Sequence, residues 1–240
     1  MKEKTDVYIS GSSFTEDEVK NKTVIVIDVL RAGSSILTAL NNGAKGIIPV
    51  SDMAEASEMA QNLDSASYLL CGEKNGIKID GYHLGNSPFE YEEKTVKAKT
   101  LILKTTNGTK AIDRCSGAER VLIGSFLNLS KVAEEVSNDD NEMVIICSGW
   151  RQRLSLEDML CAGAILHRLN GKKIPADAPD GAKVAYSLYE KYASSILSTV
   201  RRSNHAARLV SLGFEKDIDY CCEIDRIPII PELKDGMLKI

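Results

Sequence analysis

Six short apolar runs, each followed by polar residues, constrain the fold of this chain more than any other feature. Runs rich in Val, Ile and Leu with no polar face are typical of strands that are buried on both sides of a sheet. Segments with the helical spacing of apolar residues separate most of the runs. This alternation predicts an α/β protein, a three-layer α/β/α fold with a largely parallel sheet. The runs are residues 23–29, 46–50, 68–71, 101–103, 120–123 and 143–147.

Beyond Gly171 the pattern changes to mostly helical segments, which predicts a helical C-terminal region. Residues 74–97 show little periodicity and are rich in Gly, Asn, Ser and Pro, so we expect a long ordered loop over the site. We expect one domain over residues 1–240, with a subdivision into residues 1–98 and 99–240 as the alternative.

Polar side chains follow the runs at what would be the carboxyl ends of parallel strands. Ligands bind outside this edge of open α/β sheets. The side chains there include acids, cations and neutral hydrogen-bond donors, which together suit a small polyanion. The acids are Asp28, Glu73, Glu157 and Asp158, the cations are Arg31, Arg151 and Arg153, and the neutral groups are Thr105, Thr106, Asn107, Thr109, Ser125 and Asn128.

The turn at residues 105–109, with the sequence TTNGT, follows an apolar run and precedes a predicted helix. Such a turn directs hydroxyls and backbone N–H groups to one place, and the helix dipole favours an anion there. The alternative is that Thr106 or Asn107 caps the helix while Gly108 relieves strain in the turn. Its position beside the other strand ends favours a phosphate site.

The acids beside this turn suit a magnesium ion, because Mg²⁺ prefers oxygen ligands and often bridges carboxylates and a phosphate. Arginine adds a planar fork that binds phosphate, sulfonate or carboxylate. Other interpretations stay open. Asp28 could cap the next helix, and Glu157 and Asp158 lie in a first helical turn, where acids are favoured by the dipole alone.

Composition and missing motifs exclude several classes of protein. The formal net charge is −4 and no basic tract occurs, which argues against nucleic-acid or membrane-surface binding. No signal peptide or membrane-spanning run is evident, so we expect a cytoplasmic protein. The six cysteines lack metal-ligand spacing and are expected to be buried thiols. The three histidines are scattered, so the sequence favours no His-based catalytic pair. Neither GxGxxG nor a P-loop is present.

Several motifs, in this order and spacing, resemble the 2-phosphosulfolactate phosphatases, the ComB family of coenzyme M biosynthesis. They are VIDVLRAGSSILTALNNGAKGIIPV, the pair Gly72 and Glu73, GYHLGNSP, TTNGTKAI, GSFLN and CSGWRQRLSLEDMLCAGAIL. The resemblance covers roughly residues 23–169. It implies a magnesium-dependent phosphatase that converts 2-phosphosulfolactate into 3-sulfolactate and phosphate. It also implies an α/β fold of the family's own kind.

We combine the resemblance with the residue patterns to assign expected roles. The expected catalytic residues are Asp28, Arg31, Glu73 and Asp158, and the expected metal ligands are Asp28, Glu73, Glu157 and Asp158. The expected substrate-binding residues are Asn86, Ser87, Thr105, Thr106, Asn107, Gly108, Thr109, Ser125, Asn128 and Arg151. Either a water or Asp28 would attack phosphorus, and Arg31 or Arg151 would hold the other acidic group of the substrate.

Phosphate ester hydrolysis is therefore the leading hypothesis, with a small phosphorylated or sulfonated acid as the partner. A homo-oligomer is compatible with the sequence. The alternative from a different class is a non-catalytic sensor or carrier of a phosphorylated acid. Clustered acids favour the enzyme, because they would repel a phosphate unless a cation lay between them. An isomerase or lyase is less favoured, since no Lys or His base is evident.

Overall fold

The computed structural model describes residues 5–171 and 173–240. Its helices and strands alternate through the first two thirds of the chain, and helices dominate after that. The strands are β1 (Asp6–Tyr8), β2 (Thr23–Ile27), β3 (Gly46–Val50), β4 (Tyr68–Lys74), β5 (Ile77–Lys78), β6 (Thr100–Lys104), β7 (Arg120–Gly124), β8 (Met143–Cys147), β9 (Glu232–Lys234) and β10 (Met237–Lys239). The helices are α1 (Glu16–Val19), α2 (Ala32–Asn41), α3 (Met53–Gln61), α4 (Glu93–Val96), α5 (Gly108–Asp113), α6 (Leu129–Ser137), α7 (Leu156–Leu169), α8 (Asp180–Tyr192), α9 (Ile196–Val200), α10 (Asn204–Ser211) and α11 (Glu215–Cys221).

Within the described ranges the strands form one ten-stranded sheet in the order β1-β8-β2-β7-β9-β10-β3-β6-β4-β5. Two parallel groups, β1-β8-β2-β7 and β3-β6-β4, are joined by the antiparallel hairpin β9–β10. A short antiparallel strand, β5, pairs with β4 at one edge. All six predicted strands are present, so the prediction of an α/β fold with a largely parallel sheet is confirmed.

The two faces of β2 enter different parts of the core, as expected of a strand that is covered on both sides. Val24 and Val26 pack in one cluster with residues of α2, α5 and β6. Ile25 and Ile27 pack in another, with residues of α6, α7 and α8. A third cluster joins α3 to the outer face of β3 and β6. Helices therefore cover both faces of the sheet.

Helices α2 and α5 bring the carboxyl ends of β2 and β6 together. The two helices follow these strands and contact each other, and α5 also contacts both β2 and β3. At the start of α5, Gly108 lies so close to Asp28 that a Cβ atom would be 2.6 Å from Asp28 Oδ2. The predicted phosphate turn and the acid that follows β2 are thus adjacent, although they belong to different parallel groups.

The hairpin β9–β10 was not predicted from the sequence. Its turn contains Asp235 and Gly236, both with positive φ, as a two-residue type I′ turn requires. Leu238 of β10 is completely buried and pairs with Ile47 of β3, while Glu232 of β9 pairs with Leu122 of β7. The segment after residue 171 therefore supplies strands to the middle of the sheet as well as helices.

The segment expected to be a long loop contains short elements. The turn Asn75–Gly76 joins β4 to β5, a 3₁₀ turn spans Pro88–Glu90, and α4 follows. Helix α11 contacts this 3₁₀ turn, so the C-terminal helices return to the same side of the molecule. No helix in residues 5–171 or 173–240 is long and apolar enough to cross a membrane.

Candidate active site

A cleft of about 310 Å³ lies where the ends of β2 and β6 meet. Residues from four further segments complete it: the end of β4 with the β4–β5 turn, the loop before the 3₁₀ turn at Pro88–Glu90, the turn after β8, and α10. Eight of the residues predicted for the site line the cleft: Asp28, Arg31, Glu73, Asn86, Thr105, Thr106, Asn107 and Arg151. Trp150, His205 and Arg208, which were not predicted, line it too.

Asp28 lies at the end of β2 and is 9% exposed. Its Oδ1 accepts the backbone N–H of Ala32 at 3.1 Å, while Oδ2 faces the backbone of Gly108. Burial raises the pKa of Asp28 to about 6; the charge of His205 and the Ala32 N–H oppose this rise, and the charges of Glu73 and Glu157 add to it. Asp28 is therefore a carboxyl group whose protonation changes near neutral pH.

The TTNGT turn is fixed by Glu73 and by its own threonines. Glu73 accepts the backbone N–H of Thr106 at Oε1 and that of Gly76 at Oε2, both at 2.6 Å. Thr105 Oγ1 accepts the N–H of Thr109 at 3.1 Å, which caps the start of α5. Neither Thr106 nor Asn107 is the side-chain cap, so the alternative that assigned them this role is wrong.

Arg31 lines the cleft and is held in a buried network. Its Nη1 donates to Asp217 Oδ2 at 2.7 Å and its Nη2 to the carbonyl of Gly76 at 2.9 Å. The ring of Phe214 lies under the guanidinium at 4.2 Å. Ser87, predicted to bind substrate, instead donates to Asp217 Oδ1 at 2.8 Å and so supports this network from outside the cleft.

Asn86 lies beside this network with its side chain directed differently from that of Ser87. It lines the cleft and is 5% exposed. Its Oδ1 has no hydrogen-bond partner within the described part of the chain. Because buried polar atoms are nearly always paired, this amide oxygen is available to accept a hydrogen bond or to bind a cation in the cleft.

Asp158, Ser125 and Asn128 are among the predicted site residues that do not line the cleft, because internal hydrogen bonds occupy their polar atoms. Asp158 accepts the backbone N–H groups of Val29 at 2.9 Å and Gly149 at 3.1 Å, which ties the end of β2 to the end of β8. Ser125 and Asn128 are fully buried. Asn128 accepts the Ser125 N–H at 2.9 Å and donates to two backbone carbonyls. The structure thus places all three as supports for the strand ends.

Burial raises the pKa of Asp158 well above its ordinary value, and the nearby charges of Asp28 and Glu157 add to the rise. Thr109, likewise expected to bind substrate, is buried behind the turn and bonded to Thr105. Gly108 has no side chain, which lets the turn approach Asp28 and Ala32 closely; a Cβ atom there would clash with both residues.

A histidine–glutamate pair, which the sequence did not indicate, lies on the cleft wall. Glu157 Oε1 is 2.7 Å from Nδ1 of His205, and the His205 ring stacks on Trp150 at 5.4 Å. The guanidinium of Arg151 also lies over the Trp150 ring, 4.6 Å from its centroid. Burial by itself would raise the pKa of Glu157, but the hydrogen bond and charge of His205 outweigh it, so the net pKa is lowered.

Four acids, Asp28, Glu73, Glu157 and Asp158, were expected as metal ligands. Only two of them line the cleft. In residues 5–171 and 173–240, no group of three or more His, Cys, Asp or Glu side chains is arranged to hold a metal ion. Asp28 and Glu73 line the cleft, whereas Glu157 is bonded to His205 and Asp158 to backbone amides. Mg²⁺ is usually held by only one or two carboxylates together with substrate phosphate and water. Asp28, Glu73 and the unpaired Asn86 Oδ1 are oxygen donors that fit such a site.

Comparison with known proteins connects this cleft to one family. A family model described as 2-phosphosulpholactate phosphatase matches residues 9–236. A protein of Caldanaerobacter subterraneus subsp. tengcongensis named probable 2-phosphosulfolactate phosphatase is 41% identical over 232 residues, which are 97% of this chain and 96% of that protein. A protein of the same name from Clostridium beijerinckii is 40% identical over 235 residues, 98% of each chain. The chain belongs to the 2-phosphosulpholactate phosphatase family.

Proposed function

We propose that this chain hydrolyses the phosphate monoester of a small acid, converting 2-phosphosulfolactate into 3-sulfolactate and phosphate with the help of Mg²⁺. The observation that carries the proposal is the contact between Asp28 and Gly108, which joins a carboxylate to the phosphate turn at the base of one cleft. Family membership supports the reaction class. The resemblance noted above extends the proposal to a cytoplasmic enzyme of coenzyme M biosynthesis.

The phosphoryl group would lie against the TTNGT turn. The backbone N–H groups of Asn107 and Gly108 donate to no other group in the described ranges, and the side chains of Thr106 and Asn107 line the cleft. Preorganised N–H donors of this kind stabilise the charge that develops on phosphoryl oxygens. Asp28 would contact the same phosphoryl group, either as the nucleophile or by orienting the water that attacks.

Arg31 and Arg151 would bind the remaining acidic groups of the substrate. Of the five N–H donors of a guanidinium, Arg31 uses one on Asp217 and one on Gly76. The other donors remain for a carboxylate or sulfonate in the cleft. Arg151 is exposed, and its guanidinium lies over the ring of Trp150. Two cations that line one cleft suit a substrate with more than one anionic group.

For magnesium we propose a smaller ligand set than the sequence suggested, namely Asp28 and Glu73 with Asn86 as an additional oxygen donor. Bound Mg²⁺ would neutralise phosphate charge next to these carboxylates. The hydrogen bonds from Thr106 and Gly76 keep the Glu73 carboxylate in one orientation. Each carboxylate oxygen has a further lone pair besides the one that accepts an amide, so these bonds do not exclude metal binding.

The test is phosphate release by the purified protein from 2-phosphosulfolactate, 2-phospholactate and 4-nitrophenyl phosphate, with MgCl₂ or with EDTA. We expect release with MgCl₂ and loss of release with EDTA. Tight binding of 2-phosphosulfolactate in a calorimetric titration, undiminished by EDTA and without phosphate release, would instead support a carrier. Phosphate release that EDTA does not reduce would refute the role of Mg²⁺ and leave the phosphatase activity standing.

The variant Asp28→Asn tests the central carboxylate. We expect its kcat to fall by at least about 100-fold, as is usual when a group that acts on the reacting atoms is removed. Asp180→Asn is the matched control, because the Asp180 side chain is 99% exposed and lies outside the cleft. Equal rates for the two variants would remove Asp28 from the reaction.

A further inference from the structure

His205 is the second residue of α10, a helix far from the strand ends in sequence, yet it lines the cleft. Two contacts fix its ring. Nδ1 is 2.7 Å from Glu157 Oε1, and the ring plane lies 20° from that of Trp150 with the centroids 5.4 Å apart. The side chain of His205 is 15% exposed, against 1% for that of Glu157. The imidazole therefore stands between a buried acid and the open cleft.

The bond to Glu157 determines which nitrogen can exchange a proton with a substrate. Glu157 is fully buried, and the bond and charge of His205 lower its pKa, so Glu157 accepts a hydrogen bond as a carboxylate. Nδ1 must then carry the proton of that bond. Nε2 is the ring nitrogen left over, and no side chain or backbone group in the described ranges is hydrogen-bonded to it.

Phosphate esters of alcohols need help at the leaving oxygen. An alkoxide is a strong base and leaves phosphorus reluctantly, whereas a 4-nitrophenolate is a weak base and leaves without assistance. An acid placed to protonate the leaving oxygen accelerates such reactions by about 10²–10⁴-fold. Within the proposed function, the substrate is an alkyl phosphate, so this assistance matters.

We propose that His205 is the general acid of the phosphatase reaction and that Glu157 orients and charges it. The proposal rests on the proposed function. Either the oxygen of water bonds to phosphorus, or an Asp28 carboxylate oxygen does so first and water then bonds to phosphorus in a second step that breaks the bond to Asp28 and frees its carboxylate. The bond from phosphorus to the alcohol oxygen breaks, and its electron pair stays on that oxygen. The acting form of the ring is the imidazolium, with one proton on Nδ1 toward Glu157 and one on Nε2. The Nε2 proton moves to the oxygen, which leaves as the alcohol. The attacking water releases one proton to the solvent, and the ring takes one back from the solvent.

Trp150 contributes to this role by its position. Its ring covers one face of the imidazole, so the ring cannot swing about the bond to Glu157 without losing the stacking contact. Trp150 lies in the turn after β8, and its backbone N–H donates to the carbonyl of Arg153 at 2.9 Å. The turn, the acid and the imidazole thus come from three different segments and converge on one nitrogen.

The experiment compares two esters in the variant His205→Asn. We expect kcat/KM for 2-phospholactate to fall by about 10²–10⁴-fold and that for 4-nitrophenyl phosphate to fall by less than about tenfold. The matched control is His167→Asn, because His167 lies on α7 between Tyr186 and Tyr189 and away from the cleft. The control is expected to keep both rates.

If His205 had only a structural role or only bound an anion, His205→Asn would lower kcat/KM equally for the two esters. That result would overturn the proposal. Glu157→Gln is the second variant, which keeps the size of the side chain and is expected to show the same selectivity for the alkyl ester. If His205→Asn does not fold, the selectivity of Glu157→Gln decides. If the wild type hydrolyses 2-phosphosulfolactate but not 2-phospholactate, 2-phosphosulfolactate serves as the alkyl ester of the comparison. If it releases phosphate from none of 2-phosphosulfolactate, 2-phospholactate and 4-nitrophenyl phosphate, the proposed function itself is refuted and this inference falls with it.

Discussion

Replacing Asp217 by Ala is expected to destabilise the protein strongly, because it would remove the carboxylate that pairs with the buried charge of Arg31. The side chains of Arg31 and Asp217 are 2% and 3% exposed and 2.7 Å apart. Removing one member of a buried ion pair costs about 3–5 kcal/mol of unfolding free energy. For a chain of this length such a loss lowers the melting temperature by about 6–20 °C.

The same helix provides a matched control, Asp219→Ala. Asp219 pairs with Arg201 at 2.7 Å, but the two side chains are 45% and 42% exposed. An exposed pair of this kind contributes about 0–1 kcal/mol. Both substitutions exchange Asp for Ala within α11, so the effect of helix propensity is similar in the two variants.

Urea unfolding followed by circular dichroism measures both variants. Unfolding free energies that agree within about 1 kcal/mol would refute the reasoning, since burial then makes no difference to the pair. The double variant Arg31→Met with Asp217→Leu removes both charges. It is expected to recover most of the stability, because apolar residues of similar size can replace a buried pair. Phosphatase activity should not recover, since the anion-binding fork is gone.

Three further outcomes are expected. Gly108→Ala places a Cβ atom 2.6 Å from Asp28 Oδ2 and should lower phosphate release strongly, whereas Gly117→Ala, with nothing within 4 Å, should not. Asp28 has a folded-state pKa of about 6 against an ordinary value of 3.8, so the folded state binds the proton more tightly and loses stability as pH rises between these values. In thermal melts without divalent cations, Asp28→Asn should therefore be more stable than the wild type at pH 7 and equal to it below about pH 4; an equal difference at both pH values would contradict the cause given. The six cysteines are all buried, and burial raises the pKa of their thiols, so a thiol reagent at pH 8 should modify six groups in denaturant and almost none in the native protein.

Six of the seven strands of the two parallel groups, all except β1, could be predicted because burial on both faces leaves a plain mark in the sequence. Residues 23–27 contain no polar side chain except Thr23, and all five are buried in β2. The hairpin β9–β10 has no such mark, since each strand is only three residues long and contains at least one charged side chain. Its one local signal is the dipeptide Asp235–Gly236, which is favoured in type I′ turns.

The site was predictable where it depends on strand ends and unpredictable where it depends on packing. Asp28, Glu73 and the TTNGT turn meet because parallel strands end at a common place. His205 and Asp217 meet their partners across 48 and 186 residues of sequence, and no local pattern records such contacts. Ser125 and Asn128 follow a strand too, but their side chains bond to the backbone; the spacing S-x-x-N, which resembles a helix cap, was the available warning.

The place of β9 and β10 has a consequence for how the chain reaches its native state. These strands lie at residues 232–239, yet they separate β7 from β3 in the middle of the sheet. During synthesis, β7 and β3 emerge long before the strands that will pair with them. Until then each has a free edge, and free edges readily pair with other chains. Nascent chains that stall before residue 232 should therefore aggregate and depend on chaperones, while chains that extend past residue 239 should close the sheet.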